Sequence, residues 1–302
     1  MASRVKYLTV KYMYGHWFKE RDLGKVATTR QTFHILPNLI QLTLTTINED
    51  EFWFSVIFLH PMLQRLVLEI PKNVPPKRFF LEISHRSSKL CHLDLRMPIH
   101  VRSVEAELTA MLTTLTNLKT VIVPCYCLSS SIIACLSRLP NLGTIQSQSY
   151  SNREIERPAD VRPFCPVVLE GAFPSLRNLS CDAILRDISS FFAATFAPVN
   201  ITSLHIKTAS IATDMALSVF KCLTDLCHTC IRLKHLSLDL TMDRTGEARG
   251  LDENSMPISF KDICPIIDFP HLVSFELTHY LPLDITDDDI DRLARNWPSL
   301  NP

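Results

Sequence analysis

One phrase, apolar-x-x-Leu-x-Leu, recurs down almost the whole chain, usually opened by Pro-Asn-Leu or a close relative, and any fold must give every copy the same surroundings. The first copies read VKYLTV (Val5, Leu8, Val10), PNLIQLTL (Leu39, Leu42, Leu44), PMLQRLVL (Leu63, Leu66, Leu68), SKLCHLDL (Leu90, Leu93, Leu95) and TNLKTVIV (Leu118, Val121, Val123). The later copies read PNLGTIQS (Leu142, Ile145), PSLRNLSC (Leu176, Leu179, Cys181), VNITSLHI (Ile201, Leu204, Ile206), IRLKHLSL (Leu233, Leu236, Leu238) and PHLVSFEL (Leu272, Phe275, Leu277). The last two apolar residues of a copy stand two apart, as one buried face of a strand requires, and the first turns inward just ahead of it. Each copy predicts one short strand.

Between the copies the apolar spacing changes to three and four, as in VEAELTAMLTTL (Val104, Leu108, Met111, Leu112, Leu115), SIIACLSRL (Ile132, Leu136, Leu139) and MALSVFKCLTDLC. That period predicts helices. Strand, crossover and helix in repetition give parallel strands, because sequential parallel strands need a crossover of a dozen or more residues. The expected fold is α/β: a leucine-rich-repeat solenoid, or horseshoe, with parallel strands on the concave face and helices on the convex face. One unit cannot bury its own apolar face, so about ten strand-helix repeats spanning residues 1–302 share a continuous core.

Repeat starts at Leu39, Leu63, Leu90, Leu118 and Leu142 are 24 to 28 residues apart, within the usual range for this repeat. From 142 to 176, 201 to 233 and 233 to 272 the units are longer, and the excess is expected to loop out. The polar, breaker-rich stretches at 147–166 and 241–257 are therefore expected to be mobile surface insertions.

Composition suits a large folded body, with 46% hydrophobic and 21% charged residues. The formal net charge of +0 sets up no overall field toward nucleic acid or an anionic membrane, and neither is an expected partner. FWFSVIFL and FFAATFAPV are too short to span a bilayer, and the N-terminus lacks an uninterrupted apolar signal region, so an intracellular, cytoplasmic or nuclear location is expected. The ten cysteines sit mostly where a repeat core takes a small apolar residue and are read as reduced thiols. The cluster Cys222, Cys227, His228 and Cys230 lacks the second pair that zinc normally needs, so neither a metal nor any other cofactor is expected.

Strand alternation nominates the binding residues. If Leu42 and Leu44 point inward, positions 41, 43 and 45 point outward, and the same offsets hold in every copy. The outward set nominated for partner binding is Arg65, Glu69, His92, Asp94, Arg96, Gln146, Asp182, His205, Lys207, His235, Asp239 and Glu276. Nine gaps of roughly 4.8 Å make this face about 43 Å long, enough for a folded domain or an extended peptide. His92 near Asp94 and His235 near Asp239 have the residue types of a base with its orienting acid, but polar residues alternating on strands produce such pairs automatically. With no Gly-x-Ser-x-Gly elbow and no phosphate-cradling glycine loop, no catalytic residue is assigned and no enzyme activity is expected.

LPNLIQLTL followed by FLHPMLQRLVL, and DFPHLVSFEL followed by LDITDDDIDRLARNWPSL, resemble the opening and closing repeats of the fungal F-box/leucine-rich-repeat proteins. In the closing stretch Thr286 has the chemistry of a helix cap, with Asp287, Asp288 and Asp289 in the first turn favoured by the positive helix end. The resemblance implies a substrate-receptor role: the repeats hold a target protein, and an F-box docks on a Skp-type subunit of a cullin ubiquitin ligase. Here the chain opens inside its first phrase, so no F-box is expected ahead of Val5, and a Skp-type partner is expected only if an F-box is supplied elsewhere. The alternative is a stand-alone scaffold or inhibitor unconnected with ubiquitin transfer, or a truncated gene product.

Overall fold

A computed structural model of the chain describes residues 4–11, 35–45, 55–71, 74–149, 158–208, 215–241 and 257–297. Each repeat phrase forms one strand: β1 Tyr7–Lys11, β2 Gln41–Thr45, β3 Arg65–Glu69, β4 His92–Arg96 and β5 Thr120–Pro124, then β6 Thr144–Gln148, β7 Asn178–Asp182, β8 Ser203–Lys207, β9 His235–Leu240 and β10 Ser274–His279. All ten lie in one sheet in chain order, and every neighbouring pair is parallel.

The register is the repeat register. Leu8 lies opposite Leu42, Leu42 opposite Leu66, and the row continues through Leu93, Val121 and Ile145 to Leu179, Leu204, Leu236 and Phe275. A one-residue slip in any pair would move that strand's leucines to the outer side, so the hydrophobic pattern fixes the register. From Leu42 to Leu236 the row is buried, as are the leucines that open the phrases, such as Leu39, Leu63 and Leu118. Full burial of such a side chain stabilises the fold by about 1.5–3 kcal/mol.

Seven α-helices lie among the described residues: α1 Lys77–Arg86, α2 Glu105–Thr114, α3 Ser130–Leu136, α4 Leu185–Phe192, α5 Met215–Thr229, α6 Phe260–Ile263 and α7 Asp287–Asn296. The three segments with helical spacing in the sequence coincide with α2, α3 and α5. Phe79, Phe80, Leu108, Met111, Ile132, Ile188 and Leu223 on the helices belong to the same core as the inward residues of the strands. The result is an α/β fold with solenoid-like order. Among the described residues, the β2–β3 connection holds the 3₁₀ turn Ser55–Phe58 and the β6–β7 connection the 3₁₀ turn Pro158–Val161.

At its described ends the stretch 147–166 stays largely at the surface, with Val161 and Phe164 as buried anchors. Residues 147 and 148 belong to β6, and 158–166 is docked on the body. Phe164 is buried edge-on against Phe191 with ring centroids 5.6 Å apart, and its N–H donates to Asp187 Oδ2 at 3.0 Å. The Ser130 hydroxyl accepts from the Cys165 N–H at 2.9 Å and donates to the Pro163 carbonyl at 3.0 Å. Residues 150–157, and 242–256 of the second insertion, lie outside the described residues.

All ten cysteines are free. Cys222 and Cys230 are fully buried, and burial pushes both thiols up to about 12, so they sit in the core as uncharged side chains. Among the described residues no helix is long and apolar enough to cross a membrane, and no group of three or more His, Cys, Asp or Glu is placed to hold a metal ion.

Candidate functional site

The outward residues of the strands form rows across the sheet, because the pairing puts equivalent positions side by side. In the row at the strand starts, Arg65 lies opposite His92. In the middle row, Asp94 lies opposite Ile122 and Ile122 opposite Gln146, while His205, Ser237 and Glu276 are consecutive. In the row at the strand ends, Glu69 neighbours Arg96, and Asp182, Lys207 and Asp239 follow one another as acid, base, acid. The nominated residues thus fall into two groups, one on β3 and β4 and one on β7 to β10, with Gln146 on β6 between them.

Arg65, Gln146, His235 and Glu276 are exposed, and Glu69, His92, Arg96, His205, Lys207 and Asp239 are half-buried. Asp94 and Asp182 differ from the sequence expectation. Both have outward parity, yet they are only 4% and 1% exposed. Neither offers a carboxylate to a partner.

The cause lies in the ladder. The β4–β5 pairing ends at Asp94 opposite Ile122, and the β6–β7 pairing ends at Ile145 opposite Leu179. Side chains take over where the main-chain bonds stop. Beside the first break, Arg96 folds back along its own strand and donates Nη2 to Asp94 Oδ2 at 2.9 Å, which charge-pairs the buried carboxylate. Beside the second, the Ser180 hydroxyl reaches the Ser147 carbonyl at 3.4 Å, and the Tyr126 N–H, arriving from the turn after β5, donates to Asp182 Oδ2 at 2.9 Å.

Tyr126 holds this corner together. Its φ of 57° puts a bulky side chain in the left-handed region, a conformation that persists only where the surroundings hold it. Its ring is buried with Cys125 and Val161, and the Lys207 ammonium sits 6.0 Å from the ring centroid. Burial raises the proton affinity of the Asp182 carboxyl, against the smaller opposing pull of the Tyr126 N–H and the Lys207 charge. From the other side, the Arg102 guanidinium donates to the Arg162 carbonyl at 3.0 Å, and His100 Nδ1 lies 3.3 Å from Asp160 Oδ2. Turns after β4, β5 and β6 therefore converge over the end of β7. Sequence reasoning missed Tyr126, His100, Arg102 and Asp160, since no spacing ties residue 126 to 182 or 102 to 160. An Asp inside a strand, where Asp is disfavoured, was the available signal for both buried acids.

Neither histidine–acid pair forms a dyad. The Asp239 carboxylate accepts from the N–H and the hydroxyl of Thr241. His92 is held below the usual imidazole range by burial first and by the Arg65 charge second, with Asp94 pulling only weakly the other way. Ser237 donates its hydroxyl to Glu276 Oε2 at 3.1 Å, which fixes the Glu276 side chain along the face. The arrangement offers a polar surface of mixed charge, positioned by a rigid sheet. No family model and no curated protein matches the chain.

Proposed function

We propose that the chain is a non-catalytic leucine-rich-repeat solenoid that holds a protein partner on its outward, concave sheet face. The observation that carries this reading is the register: ten strands in chain order set equivalent outward side chains side by side, interrupted only past Asp94–Ile122 and past Ile145–Leu179, while their leucines fill the opposite side. A repeat stack of this kind has one long surface to offer, and side chains fixed on strands suit recognition because little freedom is lost on binding. On the sequence resemblance, the partner is a target presented to a cullin-type ubiquitin ligase through a Skp-type subunit.

The residues to vary are those the fold does not use. Arg96 neutralises a buried acid and Lys207 lies over Tyr126, so changing either perturbs the scaffold as well as the surface. Arg65, Gln146 and His235 are exposed. Tagged protein recovered from its own cells with its partners is compared with the variant Arg65→Glu, Gln146→Glu, His235→Glu and with a control carrying Arg186→Glu, Lys221→Glu and Lys261→Glu on the helices. Partner recovery falls by about tenfold in the first variant alone, equivalent to about 1.4 kcal/mol. Equal loss in both variants contradicts the face assignment. A Skp-type subunit and a cullin among the recovered proteins supports the ligase role, and their consistent absence beside other partners contradicts it.

A further inference from the structure

A second surface lies at the edge of the sheet where the strands begin. The residue just ahead of each strand joins one continuous line of main-chain bonds. Ile40 N–H donates to the Lys6 carbonyl at 2.7 Å, Gln64 to Ile40 at 2.9 Å and Cys91 to Gln64 at 2.9 Å. The line continues from Lys119 to Cys91 at 2.8 Å, Gly143 to Lys119 at 2.9 Å and Arg177 to Gly143 at 2.9 Å. Thr202 to Arg177, Lys234 to Thr202 and Val273 to Lys234, each at 2.8 Å, complete it. Equivalent positions on neighbouring strands are therefore stacked about 4.8 Å apart.

From β5 to β9 this line reads Lys119, Gly143, Arg177, Thr202, Lys234: an exposed cation on every second strand, with a small uncharged residue between. None of the three cations is in an ion pair among the described residues. Acids and bases are balanced at 31 each over the whole chain. Yet the five positions ahead of each strand, and the first position of each strand, contain no Asp or Glu. The acids of the sheet stand further along the strands, as with Glu69, Asp94, Asp182 and Asp239. The net charge of zero is thus an average over separated regions, and it hides a basic ledge. Val199 and Ile231, 51% and 56% exposed, lie in the turns that lead to β8 and β9 beside it.

Spacing selects the partner. Cations two strands apart are about 9.6 Å apart. A polyproline II segment has three residues per turn and rises about 3.1 Å per residue, so every third side chain points the same way at about 9.3 Å intervals. Side chains sharing one face of an ideal strand recur at about 6.8 Å, and those three or four apart on a helix at about 5–6 Å, and neither spacing fits the ledge. The ledge line contains no aromatic side chain to stack a nucleic-acid base. We infer that Lys119, Arg177 and Lys234 form a docking ledge for an acidic, extended protein segment with a carboxylate at every third residue in polyproline II conformation. The inference takes its class of partner from the protein-binding reading, but it uses none of the residues varied to test that reading, so either can fail alone.

The test uses the full chain at low ionic strength and two fluorescent nonapeptides of identical composition, EPSEPSEPS and one with the three glutamates contiguous. Fluorescence polarisation compares wild type with the variant Lys119→Gln, Arg177→Gln, Lys234→Gln. All three positions are exposed, so thermal unfolding of the variant is expected to match wild type. The evenly spaced peptide binds wild type about tenfold more tightly than the contiguous one, and the variant loses that difference. Equal affinity for the two peptides, retained preference in the variant, or no binding of either peptide overturns the proposal. Binding of phosphatidylserine vesicles or of oligo(dT) in place of the spaced peptide, lost in the variant, also overturns it and reassigns the ledge to a lipid surface or to nucleic acid.

Discussion

Asp182 is 1% exposed, and its folded-state proton affinity is raised by burial above that of a carboxyl in water. The native state therefore holds its proton at pH values where the unfolded chain has lost it, so this contribution to stability is full below the ordinary Asp pKa and is lost as pH rises through the folded value. Asp182→Asn keeps an acceptor for the Tyr126 N–H and removes the charge. Its stability near neutrality is expected to equal or exceed that of wild type, and chemical denaturation across mildly acidic to neutral pH is expected to lose the Asp182-dependent fall. Asp182→Ala, which leaves that N–H unpaired, is expected to cost about 1–3 kcal/mol at all pH values. A wild-type stability that rises with pH through the same window, with Asp182→Asn unchanged from it, contradicts the assignment. At this scale the sequence was only half legible. HLDL and NLSCD alternate like every other copy of the phrase, and the register sets Asp94 beside Ile122 and Asp182 beside Lys207. The covering groups come from Arg96 on the same strand and Tyr126 on a distant turn, which alternation does not encode.

Among the elements, α7 leans on its cap because its packing is slight: Leu293 is half-buried against the core and Arg292 lies 4.9 Å from the Phe260 ring centroid. None of its residues is buried, and its first turn is Asp287, Asp288 and Asp289. Thr286 accepts from the Asp289 N–H while the Asp289 side chain accepts from the Thr286 N–H, a reciprocal box recognisable in the sequence from Thr-Asp-Asp-Asp ahead of an amphipathic run. Hydrogen bonding to Thr286 holds the Asp289 carboxyl below its usual range. Thr286→Ala is expected to cost about 0.5–2 kcal/mol. Hydrogen exchange would show faster amides in α7 and unchanged protection in β5 and β6; equal loss of protection throughout the sheet would show that α7 is coupled to the whole stack. Periodicity also marked α2, α3 and α5 closely, because each presents one apolar stripe to a core. No such stripe marks 158–166. That segment is polar and rich in breakers, and what orders it is contact with Ser130, Asp187, Phe191 and Arg102, residues drawn from three other connections.

For the whole molecule, the repeated phrase carried the number, order and direction of the strands, since an unbroken leucine row has one register that buries it. Charge was less legible at this scale: a balanced total concealed cations gathered where the strands begin, and only the stacking of equivalent positions brought Lys119, Arg177 and Lys234 into one line. The central claim is that the outward sheet face binds a protein. The most direct measurement places a photo-crosslinking amino acid at Gln146, exposed in the middle of that face, and separately at Leu81, 55% exposed on α1, in protein expressed in its own cells. Discrete adducts with a partner are expected from position 146 and none from position 81. Adducts from position 81 with none from 146 would put recognition on the helical side and contradict that claim.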